Sequence, residues 1–417
     1  MTGNTLAEKL IGSHTAKGSV TAGEVVIVRV DYTFSHDAAG PLLIQQLAQL
    51  KGTPDKNHTI FFIDHGVPSP TKELANDQAT VRNYASVNGL ILSDTGNGIC
   101  HQVIAEDYAS PGDLLVGTDS HSCTCGGLCA FGTGMGATDI AIAMKLRKTW
   151  LRVPESIKIN VEGRLPRGVF AKDLILKTLS ILGTDGATYE SLEFDGPAID
   201  ELEVYGRLTL TNMAVEAGAK TALVKSDNRT KTYLKEFDRE ERWREIHADD
   251  DASYQSEIVI NASELQPQIA FPGSPSNVKS ISEARDVKVN EVYIGSCTNT
   301  RIEDMRIVAG IFKNREKAKG LKLIVTPSSR KLYIKLMQEG ILETLIQAGA
   351  AVTPPGCGVC YGAVGGIPAD NEVIFSTSNR NFTGRTGNPK AQTYLGSPAT
   401  AAATAITGKI TDPREYV

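Results

Sequence analysis

The sequence predicts an α/β protein of three domains, and three observations carry that expectation. Short apolar runs alternate with amphipathic stretches along the chain, the pattern of layered α/β structure. Several of those runs end directly in loops rich in His, Asp, Ser, Cys, Asn and Arg. The length, 417 residues with 41% hydrophobic, allows roughly two to four domains with real cores. Boundaries are expected at Val153-Pro154 and in the Pro/Gly/Ser-rich stretch Pro272–Lys279, giving units 1–154, 155–276 and 277–417.

Strands are expected at Glu24–Val30, Thr59–Ile63, Leu114–Gly117, Ile157–Val161, Glu291–Gly295, Leu321–Thr326 and Val373–Ser376. Helices are expected at Asp139–Trp150, Ala171–Leu182, Ile302–Lys313, Ser329–Glu339 and Ala399–Thr407, the last started by Ser397-Pro398 and ended by Gly408. The charged stretch Lys235–Tyr254 reads as a solvated helix followed by an acidic loop.

A net charge of −5 provides no global field for nucleic acid, and no basic patch with interleaved aromatics stands out. No apolar run approaches the roughly 20 residues of a membrane span. Met1–Gly18 lacks the apolar core of a signal peptide, so the cytoplasm is the default location. Seven cysteines, an odd number in a large chain, argue for buried thiols, metal ligands or redox sites over a disulfide framework.

Cys357-Gly-Val-Cys360 follows the rigid turn Pro354-Pro355-Gly356, and Cys297 lies in Gly295-Ser296-Cys297-Thr298-Asn299 between a strand and a helix start. Backbone N–H groups at such a start favour a thiolate. Three readings stay open on spacing alone: a redox pair, a zinc site, or an iron–sulfur cluster on three cysteines with one iron free of protein ligands. Cys123, Cys125, Cys129 and Cys100 read as small buried side chains.

Asp64-His65 and Asp119-Ser120-His121 share a strand-then-Asp-His layout, and His101 is a third candidate. A carboxylate beside an imidazole raises its pKa and makes it a proton donor. Gly132-x-Gly134-x-Gly136 departs from the dinucleotide fingerprint and follows its strand too late for one. Arg380 and Arg385, in Ser378-Asn379-Arg380-Asn381-Phe382-Thr383-Gly384-Arg385, suit bidentate carboxylate binding. Asn212 and Glu216 are four apart, on one face if helical. Polar loops at the carboxyl ends of parallel strands suggest one shared crevice.

In this order, the segments FIDH, GTDSHSCTCGGL, NMAVEAGA, IGSCTNTR, PPGCGVC, SNRNFTGRTGNP and YLGSPATAAATAITG resemble the aconitase superfamily over essentially the whole chain. The resemblance implies three α/β/α domains around a central [4Fe–4S] cluster, bound by Cys297, Cys357 and Cys360 with one iron lacking a protein ligand. It implies an acid–base network of Asp64, His65, His101, Asp119, His121 and Glu216. Substrate binding falls to Ser120, Asn212, Arg380 and Arg385. Within the superfamily the likeness is to the cluster-bearing subunit of two-subunit hydro-lyases, which lacks the swivelling fourth domain. A small subunit is therefore the implied partner. The implied reaction is the isomerisation of 2- and 3-isopropylmalate by dehydration and rehydration in leucine biosynthesis. Homocitrate or dimethylmalate are alternative substrates, and an RNA-binding cluster sensor is a remote alternative role. The resemblance also sets Pro41 at a substrate-contacting glutamine position, which weighs against citrate.

Overall fold

The computed structural model describes residues 3–417. Its strands form three parallel or mostly parallel sheets and one antiparallel ribbon. The first sheet is fully parallel, in the spatial order Ile91–Ser93, Thr59–Phe62, Tyr32–His36, Leu114–Gly117, Phe131–Gly134. The chain therefore winds outward from Tyr32–His36 in one direction, then returns to its other side. Such a reversal opens a crevice at the carboxyl ends of the two central strands. His36 and Asp119 stand there, one ending its strand and the other just past Gly117.

The second sheet, also parallel, runs Thr221–Val224, Ser191–Asp195, Ser156–Glu162, Ser256–Asn261. The third has seven strands, and its central pair is Val373–Ser376 beside Glu291–Ile294. Here too the winding reverses between the central strands. Cys297 follows one of them, and Asn379 and Arg380 follow the other. The strand Leu114–Gly117, buried at every position, reads as a continuous apolar run because helices cover both faces of its sheet.

Every expected strand is present to within one residue, and so are the helices Ala171–Leu182, Ile302–Phe312, Arg330–Gln338 and Pro398–Thr407. Two expectations are corrected. The helix expected over Asp139–Trp150 is Ala137–Leu146, ended by Arg147 at φ +52°. Lys148–Arg152 is a strand, antiparallel to Val25–Arg29, burying Thr149 and Leu151 and exposing Lys148, Trp150 and Arg152. Its alternation has the period of a strand, and extending the helical pattern across it was the error.

Lys235–Tyr254 is not a solvated helix. The helix Asn228–Glu236 ends as this segment begins, and beyond it lies only one 3₁₀ turn, Glu240–Arg242. Arg239 explains the difference, because its guanidinium donates to the carbonyls of Ala105, Tyr108 and Ala109 at the end of the helix Cys100–Asp107. The segment satisfies another helix's orphan carbonyls.

The glycine-rich run has a packing role. The 3₁₀ segment Ser120–Leu128 lies against the helix Val204–Met213 and the strand Thr221–Val224. A β-carbon on Gly126 would overlap the Ala222 carbonyl, and one on Gly127 would press on the Leu208 backbone. Backbone meets backbone there, with no flexible atom to yield. Gly126→Ala is expected to lower stability by about 3 kcal/mol through overpacking, read as a lower urea midpoint at unchanged slope. An unchanged midpoint would contradict this close-contact account.

Candidate active site

A partly open cavity of about 180 Å³ lies between the loops of the first and third sheets, lined by all three candidate cysteines and by His36, His65, His101, Asp119, His121, Tyr361, Asn379, Arg380 and Arg385. The first sheet contributes the candidate acid–base groups. Asp64 Oδ1 is 2.8 Å from His65 Nδ1, and Asp119 Oδ2 is 3.3 Å from His65 Nε2. A carboxylate facing each nitrogen favours the imidazolium form, in which both ring nitrogens carry a proton. Burial opposes that charge, but the Asp64 and Asp119 carboxylates raise His65 well above the ordinary histidine value.

Asp119 is shared. Its Oδ1 lies 2.9 Å from His101 Nε2 and accepts the backbone N–H of His121 at 2.7 Å. Burial opposes its ionisation, yet His101, His121 and His65 hold it well below the usual carboxylate range. The ring of His121 turns chiefly to another partner, Glu216 Oε1 at 2.8 Å, with Asp119 Oδ1 at 3.4 Å. Those bonds raise its pKa against the opposing effect of burial. Glu216 Oε1 also accepts from Arg380 Nε at 2.8 Å, and Arg380 donates to Ser120 Oγ at 3.0 Å.

Asn212 and Glu216 come from one polypeptide turn but not one helix. The α-helix Val204–Met213 tightens into the 3₁₀ turn Ala214–Ala217, which carries Glu216 toward His121 while Asn212 faces the cysteines. Asn212 Nδ2 donates to Cys297 Sγ at 3.2 Å, and Asn379 Nδ2 donates to the same sulfur at 3.3 Å. Arg385 lies 3.6 Å from Cys360 Sγ. A hydrogen bond from Cys357 and the Arg385 guanidinium hold Cys360 well below the ordinary thiol range, whereas burial pushes Cys297 up to about 11.

The backbone around the cysteines is specifically shaped. Ser296 (φ +83°) and Thr300 (φ +94°) flank the Cys297 loop in a conformation that L-residues rarely adopt. Arg301, fully buried, holds that loop by donating to the carbonyls of Cys297 and Thr298, and Asp304 accepts the N–H groups of Thr300 and Arg301. In the second loop Gly358 has φ +60°, and a β-carbon there would press on the Thr326 and Tyr293 hydroxyls. Tyr293 in turn donates to the Cys357 carbonyl at 2.9 Å.

The structure thus brings every candidate site residue to one region. Cys123, Cys125 and Cys129 stay outside the cavity lining as buried thiols, their ionisation pushed upward by burial. Cys100 is buried too, its N–H bonded to Asp64 Oδ2 at 2.7 Å. Pro41 does not line the cavity. It begins the helix Gly40–Gln49, where a missing N–H costs nothing. His36 occupies the cavity wall instead, its ring centroid 4.2 Å from that of His65. Burial and the positive charge of His65 push His36 down to about 4, so the stacked pair carries one proton-rich ring and one neutral ring.

Sequence reasoning also missed Asp37, Asn379 and Arg301. Asp37 accepts the N–H groups of His65 and Gly66 and so shapes the His65 loop. Nothing local marks Asp37 or Arg301, whereas Asn379 lies in the polar loop already singled out for its arginines. The position of His36 at the end of a central strand would have marked it, once the strand order was known.

Among the described residues, ligand atoms of His101, His121 and Cys297 lie within 4.8 Å of one another, as do those of His36, Asp37 and His65. The centre is therefore a thiol- and imidazole-lined pocket able to hold metal, faced by an imidazolium and two arginines. The aconitase family (aconitate hydratase) matches residues 8–408. The chain belongs to that family. Among curated relatives, a 3-isopropylmalate dehydratase large subunit 1 of Thermotoga maritima is 49% identical over the full length of both chains. A 3-isopropylmalate dehydratase large subunit of Elusimicrobium minutum is 49% identical over 99% of each, and a large subunit 2 of Archaeoglobus fulgidus is 48% identical over 100% of each.

A polar relay supports the Cys297 loop from behind. Arg301 Nε donates to Gln102 Oε1 at 2.9 Å, and Gln102 Nε2 donates to Glu106 Oε1 at 2.9 Å. Burial pushes Glu106 up to about 7. A carboxyl raised in the folded state favours folding most at low pH, and that advantage declines as pH rises from about 4.5, where the unfolded chain deprotonates, to about 7. Glu106→Gln is expected to remove a decline of roughly 3 kcal/mol from the stability–pH curve. Denaturant unfolding at a series of pH values measures it, and a variant curve parallel to wild type would contradict the assignment.

Proposed function

We propose that this chain is the large, cluster-bearing subunit of a 3-isopropylmalate dehydratase, a hydro-lyase that isomerises 2- and 3-isopropylmalate in leucine biosynthesis. The carrying observation is the convergence of Cys297, Cys357 and Cys360 on the same cavity as the His65 imidazolium and the arginine pair. The full-length relatives, named as large subunits of that enzyme, support the same reading.

The residues fit a [4Fe–4S] cluster with one iron free of protein ligands. Three thiols converge, and amide and guanidinium donors from Asn212, Asn379 and Arg385 point at their sulfurs, as clusters require of their surroundings. Arg385 Nε is buried without a partner of its own. When bound, the cluster supplies a Lewis acid for a hydroxyl and a carboxylate of the substrate.

The protein's own groups do the rest. His65, held as imidazolium by Asp64 and Asp119, carries a proton for the departing hydroxyl. His101 and His121 keep Asp119 ionised, and Glu216 orients His121. Arg380, steered by Glu216 and Ser120, and Arg385 bind substrate carboxylates, with Ser120 and Asn212 as further polar contacts. These groups form the hydroxide-leaving half of a site. The small subunit that the relatives' names imply is the expected source of the other half, including the base that takes the β-proton.

Anaerobic reconstitution with iron and sulfide, with and without the small subunit, tests this on isopropylmalate, homocitrate, citrate and dimethylmalate. Turnover of isopropylmalate only in the two-subunit enzyme is expected, and turnover by this chain alone would contradict the divided site. Preference for homocitrate or dimethylmalate would reassign the substrate. Cys297→Ser is expected to lose bound iron and sulfide, and normal contents in that variant would refute its ligand role. His65→Asn in the loaded enzyme is expected to lower kcat by about 100-fold or more; a kcat within a few-fold of wild type would remove His65 from proton transfer.

A further inference from the structure

Lys172 is a fully buried ammonium in an unfavourable place. It sits in the first turn of the helix Ala171–Leu182, where the helix dipole opposes a cation. No carboxylate pairs with it among the described residues. Its Nζ donates instead to two backbone carbonyls, Thr377 and Ser378, each at 2.7 Å. The adjacent Asp173 is committed elsewhere, accepting the N–H groups of Phe170 and Gln268. A buried charge without a counter-ion is costly enough that a protein retains one only against compensating charge.

The surroundings indicate where that compensation lies. Thr377 and Ser378 lead directly into Asn379, whose side chain bonds both Cys297 Sγ and Cys360 Sγ. The Thr377 carbonyl also accepts from Thr298, next to Cys297, and the Thr377 hydroxyl bridges to Gly295. Burial pushes the ammonium down to about 7, and the largest influences holding its proton in place are the sulfurs of Cys297 and Cys360, with the Asp304 and Asp173 carboxylates adding smaller ones. Three thiolates around a cluster core of smaller positive charge leave a net negative group at that point.

We propose that Lys172 is a positioning residue for the cluster, a buried cation that fixes the loop between the Cys297 and Cys360 sulfurs and offsets the cluster's negative charge from behind. This rests on the cluster reading above. The helix that carries Lys172 shares its apolar core with the second sheet and also lies against Gln268–Ala270 of the third, so an element outside the cysteine loops contributes charge to a centre whose sulfur ligands all follow strands of the third sheet. Lys172 lies outside the cavity lining.

The test is the midpoint potential of the reconstituted cluster, followed by low-temperature EPR during a mediated reductive titration. Lys172→Met removes the charge and keeps the stem; Lys172→Gln removes the charge and keeps donors for a carbonyl. Both are expected to shift the potential to more negative values, because a nearby cation stabilises the reduced, more anionic state. If Lys172→Met does not fold, Lys172→Gln carries the test alone. A wild-type potential in either loaded variant would overturn the electrostatic role and leave the cluster reading standing. Absence of sulfide and of any reducible cluster in the wild-type protein would instead overturn both.

Discussion

Asp119 stays ionised against the penalty of burial, and the rest of the site is arranged around that demand. An isolated carboxylate at such depth would take up a proton, because burial penalises its charge. Three histidines prevent this: His101 and His65 through their rings, and His121 through its backbone N–H and, more distantly, its ring. The arrangement is reciprocal. The same carboxylate, with Asp64, favours the protonated form of His65, so the ring and its counter-ions stabilise each other's charged forms.

This network depends on a scaffold in which two independent sheets reverse their winding direction at the same point in space. His36 and Asp119 come from one reversal, and Cys297 and Arg380 from the other. The second sheet contributes differently, through the turn that presents Glu216 and the buried Lys172. Close backbone contact across the junction, made possible by Gly126 and Gly127, brings these contributions within hydrogen-bond reach. The left-handed residues Ser296 and Thr300 show the cost of shaping the Cys297 loop, which Arg301 and Asp304 offset with bonds to its backbone.

Much of this was legible in the sequence because the signals were local. Several parallel strands, among them Thr59–Phe62 and Leu114–Gly117, are continuous apolar runs, and the site residues cluster in polar loops just after such strands. What escaped was set by three-dimensional context. Lys148–Arg152 looked like the end of a helix because its partner, Val25–Arg29, lies far away in sequence. Arg239 spoiled an expected helix by serving the carbonyls of another. His36 became part of the cavity only through the order of strands in its sheet, and Pro41, five residues on, proved to be a helix start. Lys172 is invisible to pattern reading, since one lysine in an amphipathic helix gives no sign that it is the buried one.

The central claim is that Cys297, Cys357 and Cys360 hold an iron–sulfur cluster with one iron left free for substrate. Mössbauer spectra of the anaerobically reconstituted protein, joined to its small subunit and recorded with and without isopropylmalate, test this most directly. The account predicts one iron site that responds to substrate while the others remain unchanged. Iron sites that are all indifferent to substrate, or iron bound without sulfide, would contradict it.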